Sequence, residues 1–320
     1  MSERVWAAYC AICCVATLVL LLGAAVARVS AVVGERRKRR YTQLYMPLIA
    51  ERMLCAGSSP LVRFPMSGRR GAKAVLAHLL SEASASTCFE EPGALRRMVA
   101  ANGIEGWLLR RARLSRKCAR AGYLAMLSAL PVSHATAVCV RRYRSSGGIT
   151  GFRTMLVEIA AEPQSAVRIL ESYPYVLTPF EMAELTSMLR RGMVPLAYGP
   201  LLSSPNRNLR MLGLNIVRIF GIAEAQHRLT GIVADPQWDG EFGNEALGVM
   251  VSLHMPVSEG PAASRIRSMP PSLRRALLRR LVREGYSAEA VLRLASRDER
   301  PYVESLAASY KRSLICHFRF

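Results

Sequence analysis

The sequence predicts an all-α protein in which one N-terminal transmembrane helix is followed by a helical-repeat domain. Three observations carry that prediction. Val5 to Ala27 is a run of 23 residues without a charge. Beyond it, apolar residues recur at spacings of three and four, interrupted by Gly, Pro or Ser at intervals typical of short amphipathic helices. No stretch alternates as a strand ladder would.

The apolar run comes first. As a helix rising about 1.5 Å per residue it covers roughly 34 Å, enough to span a hydrocarbon core of about 30 Å. Trp6 and Tyr9 lie at one end, where amphipathic rings settle among headgroups, and Arg28, Arg36, Arg37, Lys38, Arg39 and Arg40 follow the other. The positive-inside bias then predicts a single-pass protein of an inner or plasma membrane with its C-terminal domain in the cytoplasm. A cleaved secretory signal is the rival reading, because Arg4 precedes the run and Ala25-Val26-Ala27 has the small-x-small form of a cleavage site. The length of the run and the basic cluster directly after it favour a retained anchor.

This divides the chain into an anchor (1–34), a basic juxtamembrane helix and linker (35–70) and the repeat domain (71–320). The spacing places helices near Thr42 to Cys55, Ala72 to Ala83, Pro92 to Ala101, Ile104 to Leu130, Val132 to Tyr143, Ile149 to Ala161, Pro163 to Ser172 and Pro179 to Arg191. Further helices are expected near Val194 to Leu202, Arg207 to Phe220, Ala223 to Val233, Gly240 to Leu253, Pro261 to Arg267, Pro271 to Glu284, Ala288 to Ser296 and Pro301 to His317. Pro92, Pro163, Pro271 and Pro301 suit first-turn positions, where the missing N–H has no helical partner to lose.

An internal echo appears when Arg120 to Val132 is set beside Arg210 to Ile222 and Glu245 to Val257. Ala121, Leu124, Leu127, Leu130 and Val132 correspond to Met211, Leu214, Val217, Phe220 and Ile222, then to Ala246, Val249, Ser252, Met255 and Val257. The first two frames lie 90 residues apart, twice a helix-pair period of about 40 to 47, and the third follows after 35. In this respect the chain resembles the HEAT-repeat family: Asn206 to Val233 looks like one helix pair, and Asp235-Pro236 with Asn244-Glu245-Ala246-Leu247 looks like the start of the next. Asn244-Glu245 departs from the Val-Arg pair usual at that point. The resemblance implies an α-solenoid from Gly71 onward, with an extended surface for a protein partner.

The net charge is +21, and without the first forty residues the chain still carries 37 basic against 21 acidic residues. Such a surface suits acidic partners: anionic lipid, nucleic acid or an acidic protein face. Only four of the 44 basic residues are Lys, a bias that GC-rich coding would also produce. Two basic stripes stand out at helical spacing, Arg110, Arg113, Lys117 and Arg120, then Arg275, Arg279 and Arg283 opposite Leu277, Leu278, Leu281 and Val282. They are the candidate anion- or partner-binding residues.

Chemistry-bearing motifs are sparse. Glycine-rich phosphate loops, HExxH and GxSxG are absent, and the CxxC at Cys10 and Cys13 falls inside the apolar run. Asp occurs only at 235, 239 and 298, and the Asp235–Asp239 pair suits capping of the helix near Gly240. The five His are scattered, and Cys55, Cys88, Cys118, Cys139 and Cys316 are widely spaced, as buried thiols of a reducing compartment are. No cofactor, metal set or catalytic residue is predicted, and the chain reads as a non-enzymatic scaffold or adaptor for a protein partner, with a membrane enzyme as the expected partner. The alternative is basic-face binding of nucleic acid or anionic lipid.

Overall fold

The computed structural model describes residues 2–54, 63–86, 92–190, 197–238 and 240–317, with side chains at 15–51, 63–69, 71–86, 93–188, 197–238 and 240–311. Among these residues there are seventeen α-helices and no strand. The chain divides into two compact units, Met1–Ile169 and Leu170–Phe320.

The first unit opens with α1 (Ser2–Leu54), a single helix of 53 residues, roughly 80 Å long at the usual rise. It continues without a break through the basic cluster and the segment expected to begin a separate helix at Thr42. From Val15 to Val33 its apolar side chains, among them Leu18, Leu20, Leu22, Val26 and Val29, are all exposed. Its far end is different, because Tyr45 and Ile49 are buried in the core of this unit.

There follow α2 (Arg70–Ser86), α3 (Pro92–Ala101), α4 (Ile104–Leu114), α5 (Lys117–Ala129), α6 (His134–Val140) and α7 (Gly148–Ala161), with 3₁₀ turns at Arg141–Ser146 and Pro163–Ser165, and α8 (Ala166–Glu171) straddles the boundary at Ile169. The single helix expected over Ile104 to Leu130 is therefore two. Ser115 and Arg116 are extended, and α4 and α5 fold back on one another. Neither Gly nor Pro marks that corner, and Ser115 was its one local signal. Ser133 caps α6 by accepting from the Thr136 N–H. The core joins Leu76, Leu80, Leu108, Leu124, Leu127, Leu130 and Val157, and α2, α5 and α7 pack in series, as do α4 and α6.

The second unit holds α9 (Pro179–Arg190), α10 (Tyr198–Leu202), α11 (Arg207–Phe220), α12 (Gln226–Ala234), α13 (Gly240–Ser252), α14 (Gly260–Ser268), α15 (Pro271–Arg283), α16 (Ala288–Leu294) and α17 (Arg300–His317). Short 3₁₀ turns, Ala223–Ala225 and Arg297–Glu299, lead into α12 and α17. The Asn206 side chain caps α11 by accepting from the N–H groups of Asn208 and Leu209, and Gly221, at φ 63°, ends it. Odd-numbered helices pack each on the next from α9 to α17, and α12, α14 and α16 do the same. Leu229, Leu247, Ile266, Leu278, Leu281, Val291 and Val303 lie in the shared core.

The internal echo is partly matched by burial. Leu124, Leu214 and Val249 are all buried, as are Leu127 and Val217. Phe220 is not: it is exposed at the end of α11, where Leu130 of the first frame is fully covered.

Candidate partner-binding surfaces

The residues expected to orient the chain in a membrane fall on α1. Trp6 and Tyr9 lie outside the described side chains. Arg36, Arg37, Lys38, Arg39 and Arg40 are exposed on the stretch between the apolar sleeve and the buried Tyr45. Arg39 pairs with Glu35 at 3.4 Å, one turn back, a geometry that contributes only a few tenths of a kcal/mol.

The first basic stripe is not one helix face. Arg110 and Arg113 belong to α4 and Lys117 and Arg120 to α5, on either side of the extended corner. Arg110, Arg113 and Lys117 are exposed, whereas Arg120 turns inward. Its Nε donates to the carbonyl of Ala112 at 3.0 Å and its Nη2 to that of Ser115 at 2.8 Å. Its guanidinium also lies 4.4 Å from the ring centroid of Tyr143.

The same arrangement recurs twice in the second unit. Arg210 donates to the carbonyls of Pro205 and Ser204 at 3.1 and 3.4 Å and lies over the rings of Trp238 and Phe242. Arg274 donates to the carbonyls of Arg267 and Met269 at 2.9 and 3.2 Å, while its Nε donates to Glu299 at 2.8 Å. In each case the arginine is the fourth residue of its helix and clips the end of the preceding helix or turn. Carbonyls there lack helical partners, and a planar guanidinium with five donors can serve several at once. Arg120 and Arg210 head the two frames that echo in the sequence, so the signal was present, but it read as charge rather than as a backbone clip.

The second stripe is on one face of α15, as its spacing predicted. Arg275, Arg279 and Arg283 are exposed, with Leu278, Leu281 and Val282 buried and Leu277 half-buried on the other side. Two of the three are occupied. Arg279 donates to the Tyr302 hydroxyl at 2.9 and 2.8 Å, and Arg275 lies 3.8 Å from Glu299. The Glu299 carboxyl is buried, which alone would raise its pKa, yet the Arg274 and Ser296 hydrogen bonds hold it below the usual value.

A groove the sequence did not single out opens in the second unit between α9, α11 and α13, with a volume of about 480 Å³. Met182, Ala183 and Met211 give it an apolar floor, and Arg207, Arg218, Glu241 and Glu245 bring both signs of charge to it. Buried Asn208 fixes one wall, accepting from the Leu177 N–H at 3.0 Å and donating to the Tyr175 carbonyl at 2.8 Å. Tyr175, Val176 and Phe180 stand exposed on that segment or at the start of α9.

The other singled-out residues have local roles. Asp235 accepts from the Gln237 N–H at 2.8 Å in the turn after α12, and Asp239, directly before Gly240, lies outside the described residues. His78 pairs with Glu82 at 3.2 Å, His134 pairs with Glu162, and His254 stacks on Tyr286. His227 is exposed on α12. Cys118 and Cys139 are free thiols, but Cys118 is exposed and Cys139 half-buried, so neither is the buried thiol expected; no group of three or more His, Cys, Asp or Glu converges among the described residues. The helical fold, with one N-terminal helix long and apolar enough to cross a membrane, stands on the coordinates alone, for no known protein family, curated protein or solved structure matches the chain.

Proposed function

We propose that the protein is a membrane-anchored adaptor. In this reading α1 crosses the bilayer, the basic cluster Arg36 to Arg40 keeps the helical units on the cytoplasmic side, and HEAT-like stacked helices hold a protein partner. The exposed apolar sleeve of α1 supports the anchor, since a water-exposed sleeve of that length would be strongly unfavourable. Packing of alternate helices in series supports the solenoid. The observation that carries the adaptor reading is the α9–α11–α13 groove, where exposed Val176, an apolar floor and four charged side chains form a surface of the composition found at interfaces.

The test is site-specific photocrosslinking in native membranes from a reactive residue placed at Met211 or Val176. One discrete protein adduct, lost on Asn208→Ala and absent from a probe at exposed Leu273 on α15, is expected. Adducts of equal yield and pattern from all three positions, or none from the groove, would discard the adaptor reading. Labelling of Cys118 by a membrane-impermeant thiol reagent only after the cell is opened would support the proposed orientation.

A further inference from the structure

A strongly one-sided stretch of the chain lies in the first unit. From Gly106 to Val157 the sequence contains ten Arg and Lys and no Asp or Glu. Five of these cations crowd the α4–α5 corner: Arg110, Arg111, Arg113, Arg116 and Lys117. No salt bridge is made by any of the five among the described residues. The last residue of α4, Leu114, stands at the tip of this corner with 79% of its surface exposed. The 3₁₀ turn Arg141–Ser146 adds to the same region, because Tyr143 is flanked by Arg120 at 4.4 Å and Arg142 at 4.8 Å.

An apolar tip ringed by unneutralised cations fits one kind of counterpart well, a surface that is anionic outside and apolar just beneath. Nucleic acid fits it less well. Sequence-tolerant binding of single strands needs free aromatic faces for stacking, and here Arg111 covers Trp107 while Arg120 and Arg142 cover Tyr143. The unit also carries its own link toward a bilayer, since Tyr45 and Ile49 of α1 lie in the core that contains Leu108 and Leu124 of α4 and α5.

We propose that the α4–α5 corner is a second, peripheral membrane contact: Arg110, Arg113, Arg116 and Lys117 meet anionic lipid headgroups and Leu114 enters the layer beneath them. This rests on the reading of α1 as a membrane anchor. The corner then holds the first unit against the leaflet rather than letting it stand away on α1, and only where the leaflet is acidic.

The full chain carrying L114W is reconstituted in vesicles of phosphatidylcholine, alone or mixed with phosphatidylserine, with and without bromine-labelled acyl chains. The emission added by the substitution should be quenched by brominated lipid in the phosphatidylserine vesicles only. The quench should be lost at high salt and on changing Arg113, Arg116 and Lys117 together to Ala. Quenching that is absent from both vesicles, or equal in both, overturns the proposal, as does an emission shift induced by single-stranded RNA in place of acidic lipid. Retention on phosphatidylcholine vesicles after alkaline extraction reports α1 by itself. A retained chain without the quench refutes the corner alone, and a phosphatidylserine-specific quench from an extractable chain refutes the anchor alone.

Discussion

The hydroxyl of Tyr45 donates to the carbonyl of Pro65 at 2.7 Å, and by that bond the long N-terminal helix is fastened to the segment leading into α2. The Tyr45 ring is fully buried, stacked on Tyr41 and edge-on to Phe64. Tyr45→Phe should cost about 1 kcal/mol and Tyr45→Ala about 3 to 5 kcal/mol. Denaturant unfolding of the detergent-solubilised chain, followed by hydrogen exchange in α2, measures both. Equal, negligible losses would mean that α1 is not part of this core.

The three arginine clips should not tolerate lysine. Arg120→Lys, Arg210→Lys or Arg274→Lys keeps the charge but gives up the planar fork, at an expected cost of about 1 to 3 kcal/mol each. Arg110→Lys and Arg113→Lys, on the exposed corner, should change stability by less than about 0.5 kcal/mol. Thermal unfolding of the five variants distinguishes a structural from a surface use of the same residue.

Two buried carboxylates should respond to acid in opposite directions. The lowered pKa of Glu299 means that its contribution to stability is present above the ordinary value of 4.5 and is lost as pH falls through the lower folded value. Glu158 has a raised pKa, because burial outweighs Arg144 and Arg141 beside it. Its contribution is therefore present below 4.5 and is lost as pH rises through the raised folded value. Unfolding measured against pH should lose its acid-side fall in part with Glu299→Gln, whereas Glu158→Gln should remove a decline on the neutral side.

Gly213 of α11 lets α10 approach closely: a Cβ there would sit 3.1 Å from both the Leu201 Cβ and the Leu202 backbone nitrogen. Gly213→Ala should destabilise by about 1 to 3 kcal/mol through overpacking. Gly231→Ala, in α12 with open space around it, should stabilise by about 0.5 to 1 kcal/mol. Melting temperatures of the pair, moving in opposite directions, would establish the helix contact.

Periodicity carried most of the helical architecture. The bounds of α3 and α11 coincide with the expectation, and those of α7, α9, α13 and α15 differ from it by a residue or two, because Pro, Gly and cap residues mark these ends. What failed had at most a weak local mark, such as Ser115 at one corner. The α4–α5 corner at Ser115 and Arg116 is imposed by packing of Leu108 and Leu124 in one core, and so the first basic stripe dissolved. The groove could not be foreseen either, since Met182, Met211 and Glu241 come from three helices and share no motif. For charge, the sequence was ambiguous in kind: it shows where arginines are but not whether each guanidinium meets a carbonyl, as in Arg120, or water, as in Arg113.

Because α1 runs unbroken from its apolar sleeve to Tyr45, there is no swivel between the two. About eighteen residues make five turns of an α-helix, which sets Ala27 and Ala31 on the same side of α1 as Tyr45 and Ile49. The compass bearing of the first unit is thereby tied to the small-residue side of the helix. Under the proposed anchoring, turning α1 about its own axis would turn this unit with it.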